Sequence, residues 1–421
     1  MKQETAIEKA YNLAQEAYRL IGVDTDRAIQ RMKHVVLSLP CWHGGDSSNL
    51  DPAASGASNI DGSPGNCYGK TPGIQDLQRD FEFVLGLIPG RHRISLHSIY
   101  GDFNGVPVER NEIKPEHFEG WIQWANQMKI GLDFNSTCFG HVNAASGFTL
   151  SDRDPAIRRY WIEHVKACRQ IAAEIGRKTK KPCLHNLWIP DGSRELPVDR
   201  LTMRMLLKES LDEIYSVRYS PKLMKDSVES KLFGIGSEAM TVGSHEFYLA
   251  YAIQNRLIIC LDNGQFHISG QVGDKISALL PFTEGLLLNL TRGIRSGSDE
   301  AVSMNDEITL IAQEVVRSGA LNLINLSLDF FNSGINRTGE LVVKARAVQK
   351  AFLLALLEPT DELRQLEIEK KLFERLALLE ELKSMPFGAV WDYYCLMMGT
   401  PPGQQYITEV LNYVKEVLQK R

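Results

Sequence analysis

The sequence predicts an α/β protein: a (β/α)8 TIM barrel with an N-terminal helix and a C-terminal helical extension. Three observations carry that expectation. Eight short runs of apolar and β-branched residues alternate with segments of helical periodicity, the pattern of βα units that build a parallel sheet. Each run stops in a polar, charged or indole side chain, and in barrel enzymes the C-terminal strand ends build the active site. At 421 residues, 43% hydrophobic and 24% charged, the chain is long enough for one large barrel and ordinary for a globular protein.

The elements follow in order. MKQETAIEKAYNLAQEAYRL reads as an amphipathic N-terminal helix. Strands are expected at 35–39, 94–99, 130–134, 183–189, 227–232, 257–261, 286–291 and 323–328. Between them HFEGWIQWANQM, PAIRRYWIEHVKACRQIAAEI, RLTMRMLLKESLDEIY and LVVKARAVQKAFLLALL carry the helical period. Residues 43–75 are dense in Gly, Ser, Asn, Asp and Pro, which marks a long loop after the first strand, able to act as a lid at the catalytic face, with a linker between domains as the rival reading. After Pro359 the chain turns helical and highly charged, TDELRQLEIEKKLFERLALLEELKSM, and closes with GQQYITEVLNYVKEVLQKR. The expected division is a barrel over 1–358, including the N-terminal helix and the loop, and a helical extension over 359–421 that packs on the barrel or on another subunit.

Composition narrows the function. A net charge of -5 with no dominant basic stripe gives no reason to expect nucleic-acid or membrane binding. No apolar run approaches the roughly 18 residues of a membrane helix, so the cytoplasm is the default compartment. The seven cysteines (Cys41, Cys67, Cys138, Cys168, Cys183, Cys260 and Cys395) form no Cys-x-x-Cys pair, so neither a zinc knuckle nor a dithiol redox site is indicated. Cys183 and Cys260 lie inside apolar runs and read as small buried thiols.

The strand ends carry the candidate chemistry. In order they hold Trp42 and His43; His97; Asp133 and Asn135; Asn186, Trp188 and Asp191; Glu229 and Lys231; Asp262; Asn289; and Asp329, which a barrel would gather into one ring. Glu229, Asp262 and Asp329 would converge. Three carboxylates in one interior repel one another, and a hard divalent cation such as Mg²⁺ or Mn²⁺ relieves that repulsion through oxygen ligands. Asn289 adds a neutral carbonyl oxygen, and Lys231 points to the same face as Glu229 by the period of two. The plainer alternative is a structural ion-pair network around Lys231. His97 reads as either a substrate contact or a hydrogen-bonded core residue, and Trp42 and Trp188 as a wall for a ring or as packing. GIGSE at 234–238 lacks the spacing of a dinucleotide fingerprint.

At this point the motifs become specific. CWHGGD (41–46), IKPEHFEGWIQWA (113–125), GLDFNSTCF (131–139), WIPDG (188–192), VDRL (198–201), VESKLFGIGSE (228–238), GDKISA (273–278), LDFFNSGINR (328–337) and LLEPT (356–360) resemble L-rhamnose isomerase, in order and across essentially the whole chain. The resemblance implies a (β/α)8 barrel, a homotetramer and interconversion of L-rhamnose, or a related deoxy-sugar or aldose, with its ketose by hydride shift between C1 and C2. It implies two divalent ions, Mn²⁺ in the first place, with Mg²⁺ or a single ion as the variants. The structural ion's ligands fall on Glu229, Asp262, position 289 and Asp329, and those of the catalytic ion on positions 265, 297 and 299. Asp329 and Lys231 take the catalytic roles, and Trp42, His97, Trp188 and Lys231 the substrate contacts. Three positions depart from the family's pattern. Asn289 and Gln265 stand where the family has histidine, and Gly297 where it has aspartate, while Asp299 is retained. Gln265 offers an amide oxygen where transition metals favour an imidazole nitrogen, and Gly297 offers nothing. Two functions follow: a sugar isomerase with one good and one degraded metal site, or a barrel that binds a sugar or a protein partner without isomerising it.

Overall fold

The structure is a computed structural model and describes residues 2–42, 73–230, 239–266, 270–291, 303–329 and 336–421. Most of the expected loop at 43–75 therefore lies outside the described residues.

Eight parallel strands close into a barrel: β1 (Leu37–Pro40), β2 (Arg93–His97), β3 (Gly131–Thr137), β4 (Cys183–Trp188), β5 (Met224–Glu229), β6 (Ile258–Asp262), β7 (Leu286–Leu290) and β8 (Ile324–Leu328). Each pairs with its neighbours in sequence, and β1 closes the ring against β8 through Leu37↔Leu326. IICLD and LLLNL are buried throughout, as parallel strands covered on both faces must be. The (β/α)8 expectation therefore holds, with each strand within a few residues of its predicted place. The largest shift is at β5, which starts at Met224. Its opening charges disguised it, because Lys225 points to the barrel mouth while Asp226 faces outward and pairs with Arg169 at 2.8 Å. A two-stranded antiparallel ladder, Gly192–Ser193 with Met240–Thr241, has no counterpart in the sequence reading.

Inside the barrel the fill is uneven. Leu184, Ile258, Cys260 and Leu287 form a small apolar cluster of their own, while Ser38, Ser95, Asn135 and Ser327 line the axial cavity on the other side. Near the N-terminal end Arg93 grips Asp133 with two hydrogen bonds (2.9 and 2.7 Å), and Ser38 donates to the same carboxylate at 2.6 Å. Gly131 makes this possible, since a Cβ there would collide with the Arg93 guanidinium. Asp133 is thus an interior strut and not part of the C-terminal ring. Asp191 also leaves the ring: it accepts from the backbone and hydroxyls of Thr149 and Ser151 at 2.6 to 3.0 Å and pins that loop.

The N-terminal helix (Lys2–Leu20) is present, and four helices follow Pro359: Thr360–Ile368, Leu372–Glu381, Phe387–Met397 and Gln405–Glu416. Arg346 ties the last two of these to the barrel. Fully buried on the helix Arg337–Leu356, it donates to the carbonyls of Leu87 (2.9 Å) and Pro401 (3.2 Å) and lies over the rings of Trp391 and Tyr406. Arg346→Met keeps the stem and leaves both carbonyls unmet. It should cost about 2–4 kcal/mol, read as an earlier urea midpoint with faster proteolytic release of the C-terminal helices; an unchanged midpoint would remove Arg346 from this role. Among the described residues no helix is long and apolar enough to cross a membrane.

Candidate functional site

The site is assembled where the barrel strands end. Glu229 and Asp262 are the last residues of β5 and β6, and register sets Glu229 beside Trp188 and Asp262 beside Asn289. Asp329 follows β8 directly, and its backbone N–H donates to the Leu290 carbonyl at 3.2 Å. One ligand-capable oxygen from each of Glu229, Asp262 and Asp329 lies within 4.8 Å of the other two. The expected convergence of the three acids is therefore found.

Neighbouring dipoles aim these oxygens. Asn186 donates its amide N–H to Glu229 at 2.5 Å while accepting from Ser227 at 2.7 Å. Asp262 accepts from the Gly264 backbone at 2.8 Å and the Thr291 hydroxyl at 3.2 Å. Asn263 and Thr291 clamp the ends of β6 and β7 together through bonds of 2.7 and 2.9 Å. Asn289 donates to Asp329 at 2.9 Å, which leaves its amide oxygen as the one lone-pair donor it can offer an ion. These donors are neutral and orient the carboxylates. Unit charges about 4 Å apart repel by roughly 4 kcal/mol at an effective dielectric of 20. A buried oxygen-only cluster of this kind suits a hard divalent cation. Lys231, the centre of the rival ion-pair reading, lies outside the described residues. Burial, and then the carboxylates of Glu229, Asp262 and Asp329, push the Cys260 thiol well up, so Cys260 is a neutral wall beneath the cluster.

Beside the acids stands an aromatic wall. Trp42 lies 5.4 Å from His97 and 5.3 Å from Phe139, and Phe139 meets Trp188 edge-on at 5.1 Å. Trp42, His97 and Trp188 were expected here; Phe139 was not. Its one sequence signal is that it closes the motif GLDFNSTCF after β3. Arg110, also unforeseen, holds this turn by donating to the carbonyls of Thr137, Phe139 and Gly140 at 2.8, 2.5 and 3.0 Å. Burial, reinforced by the Arg110 charge, pushes His97 down to about 3, so its imidazole is neutral at physiological pH, able to donate and accept. Three rings of the wall and the acids share one cavity of 380 Å³, lined by His97, Phe139, Trp188, Glu229, Asp262 and Asp329, within the range of small-molecule sites; Trp42 packs behind them.

The second metal site is reached at one residue only. Gln265 ends the short turn Asn263–Gln265 after β6; it is 3% exposed, and among the described residues neither polar atom of its amide has a hydrogen-bond partner. Asp299 and Gly297 lie outside the described residues.

Comparison with known proteins places this site in context. The family profile described as L-rhamnose isomerase (RhaA) matches residues 5–421. The L-rhamnose isomerase of Rhodopirellula baltica is 46% identical over 421 residues, covering 100% of this chain and 98% of that protein. The L-rhamnose isomerase of Salmonella paratyphi B is 45% identical over 418 residues, 99% of each chain. Among solved structures, a D-allulose 3-epimerase from Methylomonas sp. has a TM-score of 0.45 at 10% identity, covering 75% of this chain and 96% of that one, too distant to carry an argument.

Proposed function

The chain belongs to the L-rhamnose isomerase family, and on that premise we propose that it isomerises L-rhamnose to L-rhamnulose, an aldose–ketose conversion by hydride shift. The observation that carries this reading is the cluster of Glu229, Asp262 and Asp329 within 4.8 Å, set against an aromatic wall in one cavity. A divalent cation, Mn²⁺ in the first place, would be held by Glu229, Asp262, Asp329 and the Asn289 oxygen, and would polarise the sugar carbonyl and stabilise alkoxide character. The chain's own residues do the rest. Trp42, His97, Phe139 and Trp188 receive the sugar's less polar face, with the neutral His97 ring placed for a hydroxyl. Lys231 and Asp329 take the catalytic positions. Gln265 and Asp299 offer too little for a second tight ion, so one ion per chain is the expected load.

Purified protein given L-rhamnose and excess Mn²⁺ should form ketose above a metal-free control, and a chelator should abolish it. No product at any Mn²⁺ concentration would sink the reading.

We further assign a homotetramer, working in the cytoplasm. The helix Leu372–Glu381 has no buried residue, and Phe373, Leu376 and neighbouring Ile368 are exposed together, an apolar face suited to another copy of the chain. The six described cysteines are free thiols, in keeping with a reducing compartment. Phe373→Asp with Leu376→Asp should shift sedimentation to smaller species without loss of helix content; unaltered assembly would place the contact elsewhere.

A further inference from the structure

The end of the barrel opposite the acids gathers a charge that the net -5 conceals. β1 to β6 are each led by a basic residue: Lys33, Arg91, Lys129, Lys181, Arg218 and Arg256. The closed strand order sets these six around one rim, where Glu284 before β7 is the single acid in the leading segments. Lys129 and Arg256 stand at helix C-caps with positive φ, where a cation faces carbonyl dipoles and needs no other explanation. Lys181 donates to the Lys129 carbonyl and Arg218 to that of Asn255, both at helix ends, and among the described residues neither is paired with a carboxylate.

Lys225 concentrates the effect. It is exposed although it lies within β5, and it borders both the lower end of the axial cavity and a second cavity of 570 Å³. Arg218 and Arg256 border that second cavity too, with Tyr219 as a flat apolar wall and Asn322 and Asn325 as amides. Of its two acids, Asp226 is committed to Arg169 and to His185 (3.1 Å), which leaves Glu284 against three cations. Burial, then the charges of Arg93 and Arg91, lower the Lys181 ammonium.

We propose that this mouth binds a small phosphorylated molecule, its phosphate held by Lys225, Arg218 and Arg256 and its body by Tyr219 and the two asparagines. Arg218, Tyr219 and Arg256 lie outside the lining of the sugar cavity, whose lower end Lys225, Asn322 and Asn325 share. Three cations lining one cavity with a half-apolar wall suit a phosphate ester better than a bare ion, and the charge excess should make binding weaken as salt rises.

Calorimetry on the Mn²⁺-loaded enzyme with AMP, ribose 5-phosphate, inorganic phosphate and adenosine tests this. At least one of the two esters should bind more tightly than inorganic phosphate, and adenosine should not bind. The double variant Lys225→Thr, Arg256→Asn replaces exposed side chains and keeps a residue that tolerates positive φ at 256; it should weaken the ester by at least about tenfold. Lys225→Arg should restore most of the affinity when it replaces Lys225→Thr. Asp262→Asn, at the other end of the barrel, should leave it unchanged. Silence from both esters, equal affinity in the double variant, inorganic phosphate binding as tightly as the esters, or loss with Asp262→Asn would each overturn the proposal.

Discussion

Glu229→Gln is expected to lower ketose formation by roughly 10³-fold, the loss of about 4 kcal/mol of transition-state stabilisation that a positioned cation supplies. The substitution removes one of three charged ligands and sets an amide against the Asn186 N–H that now donates to the carboxylate at 2.5 Å. It also separates the metal reading from the ion-pair reading. Metal-free Glu229→Gln should be as stable as the parent or slightly more so, because one repelling charge has gone. Mn²⁺ should then stabilise the parent, by about 2.7 kcal/mol at one hundred times its Kd, and leave the variant almost unmoved. Thermal unfolding with and without Mn²⁺, together with metal content after desalting, reads both effects. A variant that keeps its ion at parental affinity would refute the assignment of Glu229 as a ligand.

The second large effect is a gain. Asn289→His, Gln265→His and Gly297→Asp made together should raise the load from one Mn²⁺ per chain to two and increase turnover by about tenfold or more, since a second ion adds stabilisation of developing charge. Gln265 is the informative member. Among the described residues its buried amide has neither donor nor acceptor matched, and such groups cost about 1–3 kcal/mol each when unsatisfied. An imidazole there would have an ion to bind, so the three substitutions need not destabilise the fold. Equilibrium dialysis with Mn²⁺ counts the ions independently of activity. A triple variant that still holds one ion and turns over no faster would show that these three positions do not limit the site.

Much of this was legible in the sequence because it depends on local pattern. Apolar runs such as IICLD and LLLNL must be covered on both faces wherever they occur, and their spacing between helical segments leaves a parallel barrel as the economical arrangement. Glu229, Asp262 and Asp329 were legible for the same reason, since each ends or follows a strand and a barrel brings strand ends together. Asp133 and Asp191 failed by that same rule. A polar residue near a strand end can serve a strut or a loop as well as a site, and only their partners, Arg93 for one and Thr149 with Ser151 for the other, tell which. Phe139 was passed over because an aromatic in a motif looks like core until its neighbours Trp42 and Trp188 are seen beside it.

The sequence by itself determined the alternation of strands and helices, the identity of the three acids and the departures at 265, 289 and 297, all properties of single residues or short windows. The tertiary structure alone decided which oxygens meet within 4.8 Å, that Gln265 is buried with no partner among the described residues, and that the cations Lys33 through Arg256 share one rim. Those cations are scattered from residue 33 to residue 256, so no sequence window shows them as a basic stripe. Charge and coordination act through space over a few ångströms, and it is closure of the barrel that converts distance along the chain into proximity.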